Sequence, residues 1–377
     1  MRIAQVAPLA ESVPPKLYGG TERVVSWLTE ELVALGHDVT LFASADSLTN
    51  ASLVPCWPRS LRLSQPPSDP SAAYATLLGR LGEMASNFDV IHCHTDWLHL
   101  PLLRALGVPH LTTLHGRLDN DCVKRAMRTF SDTSFVSISN SQRAPLPELQ
   151  WLATIYHGMP RSALRPCYEP DRYLAFLGRI APEKGPESAI RLAKAVGLPL
   201  RIAAKIPRGE MAYFRERIEP LIDGRNIQFV GEVNEAQKQD FLGKAAALLF
   251  PINWPEPFGL VMIEAMACGT PVIARRHGSV PEVVANAVSG FVVDSHDEAV
   301  DAINRIGTLD RRRVRAEFER RFTSQRMAED YVKLYADLAR MSRSRKVRPS
   351  RALGRDKGAA TKREPISPEG NFGDSRV

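Results

Sequence analysis

The stretch Ala246-Ala247-Leu248-Leu249-Phe250-Pro251-Ile252-Asn253-Trp254-Pro255-Glu256-Pro257-Phe258-Gly259-Leu260-Val261-Met262-Ile263-Glu264-Ala265-Met266-Ala267-Cys268-Gly269-Thr270-Pro271-Val272-Ile273-Ala274 reads as one strand–turn–helix–turn–strand unit. The apolar run 246–250 is short enough for a buried strand and ends in a Pro-rich turn. A helix is expected from near Phe258 until Gly269 stops it, and a second strand follows over 271–274. Strand, helix and strand joined this tightly are the repeat of a parallel sheet with helical crossovers. Glu256 falls in the turn and Glu264 on the helix, with seven residues between them. The backbone N–H groups of Phe258, Gly259 and Leu260 open the helix and form an anion site by geometry and dipole. Gly259 lets a ligand approach the backbone closely. Taken singly, either Glu is equally well read as an ordinary helix charge.

The same alternation runs outward in both directions. Strands are expected over 2–8, 38–43, 89–93, 110–114, 135–138 and 154–156, then over 173–177, 199–203, 226–230 and 290–293. A helix over 21–35 carries Val24, Val25, Leu28, Leu32 and Leu35 on one face, with Gly36 as its stop. The Pro- and Ser-rich segment 52–71 reads as loop. About a dozen strands exceed one comfortable open sheet. The expected fold is therefore α/β, with two doubly wound, Rossmann-like domains facing across a cleft. The first spans 1–160 and the second 161–341, meeting in the Pro-rich linker near 158–170. The last helix, over 323–341, is free to pack back on the first domain. Ligands of such sheets sit at the carboxyl ends of the strands.

Charge excludes one class of function. Residues 340–377 hold eleven Lys/Arg and four Asp/Glu, so the whole net charge of +7 lies there, and the other 339 residues are balanced. A body-wide basic surface for nucleic acid is not supported. The segment 342–377 is expected to be a disordered basic tail. It reads either as a contact for anionic membrane surface or as a solubilising appendage. Five scattered cysteines with no C-x-x-C pair, and no apolar run long enough for a bilayer, point to a reduced cytoplasmic protein. Peripheral contact with the inner membrane face through the tail is left open.

The opening string resembles the E-x7-E signature of retaining glycosyltransferases of family 4, which have the GT-B fold. The resemblance implies that Glu256 holds donor-sugar hydroxyls and Glu264 the nucleotide ribose, with the 258–260 amides on sugar and phosphate oxygens. Further matches extend it over roughly residues 1–340. Gly178-Arg179 followed by Lys184-Gly185 looks like the G-R…K-G element, and both cations can reach a diphosphate, Arg179 as a planar fork and Lys184 as a point charge. Pro186 is suited to open the next helix. Leu17-Tyr18-Gly19-Gly20-Thr21-Glu22-Arg23 matches the glycine loop after the first strand, and it is not the G-x-G-x-x-G of dinucleotide binders. Thr113-Leu114-His115-Gly116 resembles the strand-ending motif whose His faces the transferring sugar. Ser137-Ile138-Ser139-Asn140 matches a further stretch, with Asn140 able to cap the following helix. The Pro14-Pro15-Lys16 opening is most similar to the bacterial subgroup named after an avilamycin-biosynthesis transferase.

What this implies is a hexosyltransferase that moves a sugar from a nucleoside-diphosphate donor, a UDP-hexose, to an acceptor hydroxyl. Catalytic roles fall to His115, Arg179, Lys184 and Glu256. Donor-binding roles fall to Gly19, Gly20, Phe258, Gly259, Leu260 and Glu264, with Lys205 and Val233 near the base. His94, Asp96 and Trp97 are the candidate acceptor contacts, the acceptor being a small molecule, a glycan or a lipid-linked sugar. No metal or other cofactor is required, because the cations and the helix start stabilise the leaving diphosphate. Asp119-Asn120-Asp121 and the cluster His92, Cys93, His94, Asp96 and His99 are the patterns that would argue for a metal. A nucleotide-sugar 2-epimerase and a non-catalytic nucleotide-sugar binder are the competing readings.

Overall fold

The computed structural model describes residues 1–16 and 19–347. Its first sheet is built of β1 (Arg2–Val6), β2 (Asp38–Ser44), β3 (Ser52–Trp57), β4 (Val90–Cys93), β5 (His110–Thr113), β6 (Phe135–Ser137) and β7 (Trp151–Thr154). Their order is β3-β2-β1-β4-β5-β6-β7, with every pairing parallel. The second sheet holds β8 (Leu174–Arg179), β9 (Leu200–Lys205), β10 (Ile227–Gly231), β11 (Ala247–Phe250), β12 (Val272–Arg275) and β13 (Gly290–Val293). Its order is β10-β9-β8-β11-β12-β13, again all parallel. Both sheets reverse winding direction once, between β1 and β4 and between β8 and β11. Those two switch points are where a doubly wound sheet leaves a crevice at its strand ends.

Strand alternation fills a core on both faces of each sheet. Leu174 and Phe176 of β8 face one layer with Ala247 and Leu249, while Ala175 and Leu248 face the layer that holds Met262, Ile263 and Phe318. In the first sheet Ala4 and Val6 pack on Leu77 and Leu81, and Ile3 packs on Met327, Tyr331 and Tyr335 of the last helix. That helix, Ser324–Val347, therefore returns to the first sheet after the second is complete. The chain crosses at Gly158, where a Cβ would lie 2.2 Å from the Thr323 carbonyl oxygen.

Some elements differ from expectation. Segment 52–71 is not a loop throughout: 52–57 forms β3, and a helix starts at Pro70. Pro55 is tolerated there because β3 is an edge strand, where one missing N–H costs no ladder bond. The strand expected over 154–156 lies at Trp151–Thr154. The helix expected from Phe258 starts at Leu260, because Gly259 takes a left-handed φ of 79°. The short helix after β6 is capped by Ser139, whose Oγ accepts from the Gln142 N–H at 3.1 Å, and not by Asn140. The last helix passes 341 and runs to Val347, the first helix breaker being Pro349. The rest of the basic tail, like Leu17 and Tyr18 of the glycine loop, lies outside the described residues. No described helix is long and apolar enough to cross a membrane.

Candidate active site

A cavity of about 850 Å³ lies between the two sheets, lined by residues from the carboxyl ends of β1, β4, β5, β8 and β11. Two glycines shape its rims. A Cβ on Gly19 would come within 2.7 Å of Pro15, and one on Gly259 within 2.8 Å of the Met262 methyl and 3.2 Å of Phe250. At Gly259 the positive φ adds a conformational reason, so only glycine fits the turn into the helix Leu260–Ala267.

The wall from the second sheet is built of paired charges. Lys184 Nζ lies 2.5 Å from Glu256 Oε2 and 4.5 Å from the centre of the Trp254 ring. Both side chains of that pair are largely buried. Arg179 donates to Glu183 at 2.9 Å and is about one-third exposed at the cavity edge. Glu264 is held by Lys238 at 2.7 Å, with both side chains below 10% exposure. Lys238 also reaches Glu235 at 2.8 Å, and Glu235 meets Arg23 of the first half at 3.0 Å. Burial alone would lower the Lys238 pKa, but Glu264 and Glu235 outweigh it and hold the ammonium above its ordinary value.

The wall from the first sheet is built of neutral rings and hydroxyls. Gln5, fully buried in the middle of β1, donates to Tyr335 OH at 3.1 Å and accepts from His94 Nε2 at 2.9 Å. His94 Nδ1 meets His115 Nε2 at 2.9 Å, and the His115 ring stacks on His157 at 5.1 Å. His92 joins Tyr335 and Thr113, each at 2.7 Å, and His99 joins Thr95 at 2.8 Å and Thr112 at 2.7 Å. Burial drives the pKa of all five histidines down, to about 3 for His99 and His115. They are neutral at pH 7, and every nitrogen of His92, His94 and His99 is engaged.

Of the residues singled out from sequence, His115, Arg179, Lys184, Glu256, Gly19, Gly20, Phe258, Gly259, Leu260, Glu264, Lys205, Val233, His94 and Asp96 all line this cavity. Trp97 does not; it is a half-exposed surface ring. His94 spends both nitrogens inside the protein, which leaves none for an acceptor. The two carboxylates of Asp119-Asn120-Asp121 diverge. Asp119 takes a two-point contact from Arg117 at 2.8 and 2.6 Å, Asn120 caps the next helix, and Asp121 is exposed. Among the described residues no group of His, Cys, Asp or Glu is arranged to hold a metal ion. Sequence reasoning missed Lys238, Glu235, Gln5, Trp254 and His157. Only the last two carried a signal: Trp254 sits beside the Pro-Glu-Pro turn, and His157-Gly158 repeats the His115-Gly116 pair.

Comparison with known proteins follows the same division of the chain. Residues 18–158 match the model for glycosyltransferase family 4, and residues 165–322 that for glycosyl transferases group 1. A glycogen synthase of Mycobacterium tuberculosis is 28% identical over 342 residues, which is 76% of this chain and 81% of that protein. The crystal structure of AviGT4, a glycosyltransferase involved in avilamycin A biosynthesis, has a TM-score of 0.69 at 26% identity, covering 90% of this chain and 98% of the other. Anabaena Alr3699/HepE, in complex with UDP-glucose, shares the fold at a TM-score of 0.67 and 17% identity, over 89% of this chain and 100% of its own. With one matched domain on each sheet and the cavity between them, the chain is a glycosyltransferase of GT-B fold, carrying a family 4 domain in its first half and a group 1 domain in its second.

Proposed function

We propose that this enzyme moves a hexose from a nucleoside-diphosphate sugar, a UDP-hexose, to an acceptor hydroxyl, with retention at the anomeric carbon and no need for a metal ion. One observation carries the reading. Lys184, Arg179 and the start of the helix Leu260–Ala267 gather on one side of a cavity whose other side presents His115, Gly19 and Gly20. The first group suits a diphosphate, because fixed cations and helix-start N–H groups stabilise negative charge as it builds on the leaving group. In this reading Glu256, beside Lys184, meets the sugar hydroxyls and Glu264 the ribose. Lys205 and Val233 also line the cavity, and in this reading they meet the base.

In the reaction the bond from the anomeric carbon to the diphosphate oxygen breaks, and a bond to the acceptor oxygen forms on the same face. The acceptor proton passes to the departing phosphate oxygen. The likeness to AviGT4 supports placing the chain nearest the avilamycin-type subgroup. The fold shared with HepE supports only that such a cleft can house a nucleotide sugar. All five cysteines are free thiols, which suits the reducing cytoplasm where we place the reaction. The test is transfer from UDP-glucose in excess EDTA, with the product anomer read by proton NMR. Retained configuration and undiminished rate are expected. An inverted product, or loss that Mg²⁺ restores, contradicts the reading. Epimerisation of donor incubated alone would favour the 2-epimerase instead.

A further inference from the structure

The first-sheet wall holds one ionisable group that the donor reading leaves idle. Asp96 follows β4 directly, at the switch point, and lines the cavity. Its φ of 49° makes it one of two described non-glycine residues with left-handed backbone. Such a conformation is uncommon outside glycine, and strain of this kind is tolerated where a side chain must be aimed. Its carboxyl has no hydrogen-bond or ion-pair partner among the described residues. Burial alone lifts its pKa, to about 6. The ionisable group that senses it is Tyr74, whose OH accepts from the Leu9 N–H at 3.2 Å and which also feels Glu22. Neither is a cation.

The cations of this wall are already matched. Arg62 pairs with Glu11 at 2.8 Å, Arg117 with Asp119 at 2.6 Å, Arg23 with Glu235 at 3.0 Å, and the largely exposed Lys16 with Asp46 at 3.9 Å. Glu22, buried on the first helix, has its own pKa raised mainly by burial. Facing the acceptor side are therefore the unpartnered carboxyl of Asp96 and, near Tyr74, the carboxyl of Glu22, which takes backbone N–H bonds of its own. A phosphate placed against them would meet like charge in a poorly solvated corner. A neutral hydroxyl placed there would supply the hydrogen-bond donor that this half-buried carboxylate lacks.

We propose that Asp96 is the acceptor anchor, accepting a hydrogen bond from a hydroxyl of a neutral polyhydroxy acceptor and excluding acceptors that carry a phosphate at that point. The inference rests on the donor reading above. It adds an acceptor class to that site and requires no proton transfer to Asp96.

The experiment uses the full chain with UDP-glucose, GDP-mannose and ADP-glucose as donors. Glucose, mannose, myo-inositol and glycerol serve as neutral acceptors, and glucose 6-phosphate and inositol 3-phosphate as anionic ones. Nucleotide affinity is measured separately by calorimetry. A neutral acceptor should exceed its phosphorylated counterpart by about tenfold or more in kcat/KM. Asp96→Asn, which suits the left-handed backbone, should raise the acceptor KM about tenfold, the scale of one hydrogen bond to a charged group. Nucleoside-diphosphate affinity should stay unchanged. In the wild type the acceptor KM should fall as pH rises through about 6, and that limb should vanish in the variant. Preference for the phosphates, no transfer to any neutral acceptor, or an unchanged acceptor KM in Asp96→Asn overturns the proposal. Failure of every nucleoside diphosphate to bind would instead overturn the donor reading.

Discussion

The two walls of the cleft solve the same problem, polar groups held out of water, by opposite means. The second-sheet wall neutralises charge with charge, through Lys184–Glu256 and Lys238–Glu264. The first-sheet wall chains neutral donors to acceptors at its strand ends, from Tyr335 through Gln5 and His94 to His115, beside charged side chains such as Asp96 and Arg62. The difference suits the tasks proposed for them. A wall that meets a diphosphate needs cations held in place beforehand, with carboxylates that keep them ionised. A wall that meets sugar and acceptor hydroxyls needs fixed hydrogen-bond directions and little net field.

Acid should break this symmetry first, and with the largest effect. The five histidines of this wall, four buried and His115 partly exposed to the cavity, have folded pKa values below the ordinary 6.5. A depressed histidine pKa contributes stability that is present above 6.5 and lost as pH falls toward the folded value. Each contributes up to about 1.4 kcal/mol per pH unit in that window. Between pH 7 and pH 5 His99 and His115 should therefore cost the first half about 4 kcal/mol, and the other three act in the same direction. Hydrogen exchange at pH 5 should show β4 and β5 opening ahead of β11 and β12. Uniform protection across both sheets would mean that the histidines are not neutral and buried as described.

The second expected effect is on turnover. Lys184→Ala removes a cation at the diphosphate and leaves Glu256 buried without its partner. Transfer should fall about 10²–10³-fold, the scale of losing one fixed electrostatic group. A fall of less than tenfold in single-turnover rate would remove Lys184 from the mechanism. His94→Asn should act more weakly on the same rate, because His94 works only through His115.

A smaller effect concerns Asp96 and stability. Its raised pKa means that wild-type stability is full below 3.8 and declines as pH rises through about 6. Asp96→Asn cannot ionise, so at pH 8 it should be more stable than wild type by up to about 3 kcal/mol, and equal to it near pH 4. Denaturant melts at the two pH values check this. The smallest effect is expected for Arg23→Ala, which cuts the ion pair between the walls. Glu235 is half-exposed there, so the coupling of that pair, read from a double-mutant cycle with Glu235→Gln, should stay under about 1 kcal/mol.

The walls also differ in how legible they were. Glu256, Gly259 and Glu264 lie within nine residues, so one turn and one helix bring them together and the spacing alone announces the arrangement. The alternation of strand and helix likewise made the two-sheet architecture readable, because each unit is local. β3 escaped notice because Pro55 and its flanking serines mask a strand that only the edge position permits. The neutral chain is of another kind. Gln5 and Tyr335 are 330 residues apart, and Gln5 and His94 are 89 apart. No periodicity marks a glutamine in a central strand as polar by design, since its partners arrive only when the last helix returns. Lys238 was hidden for the same reason, as a lone lysine on a polar helix whose partner Glu264 lies on the next one.

The proposed activity requires that the paired-charge wall hold a nucleoside diphosphate. Calorimetric titration of UDP, GDP and ADP into wild type and Lys184→Ala, all in EDTA, tests it most directly. One nucleotide should bind the wild type and lose affinity more than tenfold in the variant, as expected for a hydrogen bond between charged partners. Binding by none of the three, or equal binding by both proteins, would contradict it.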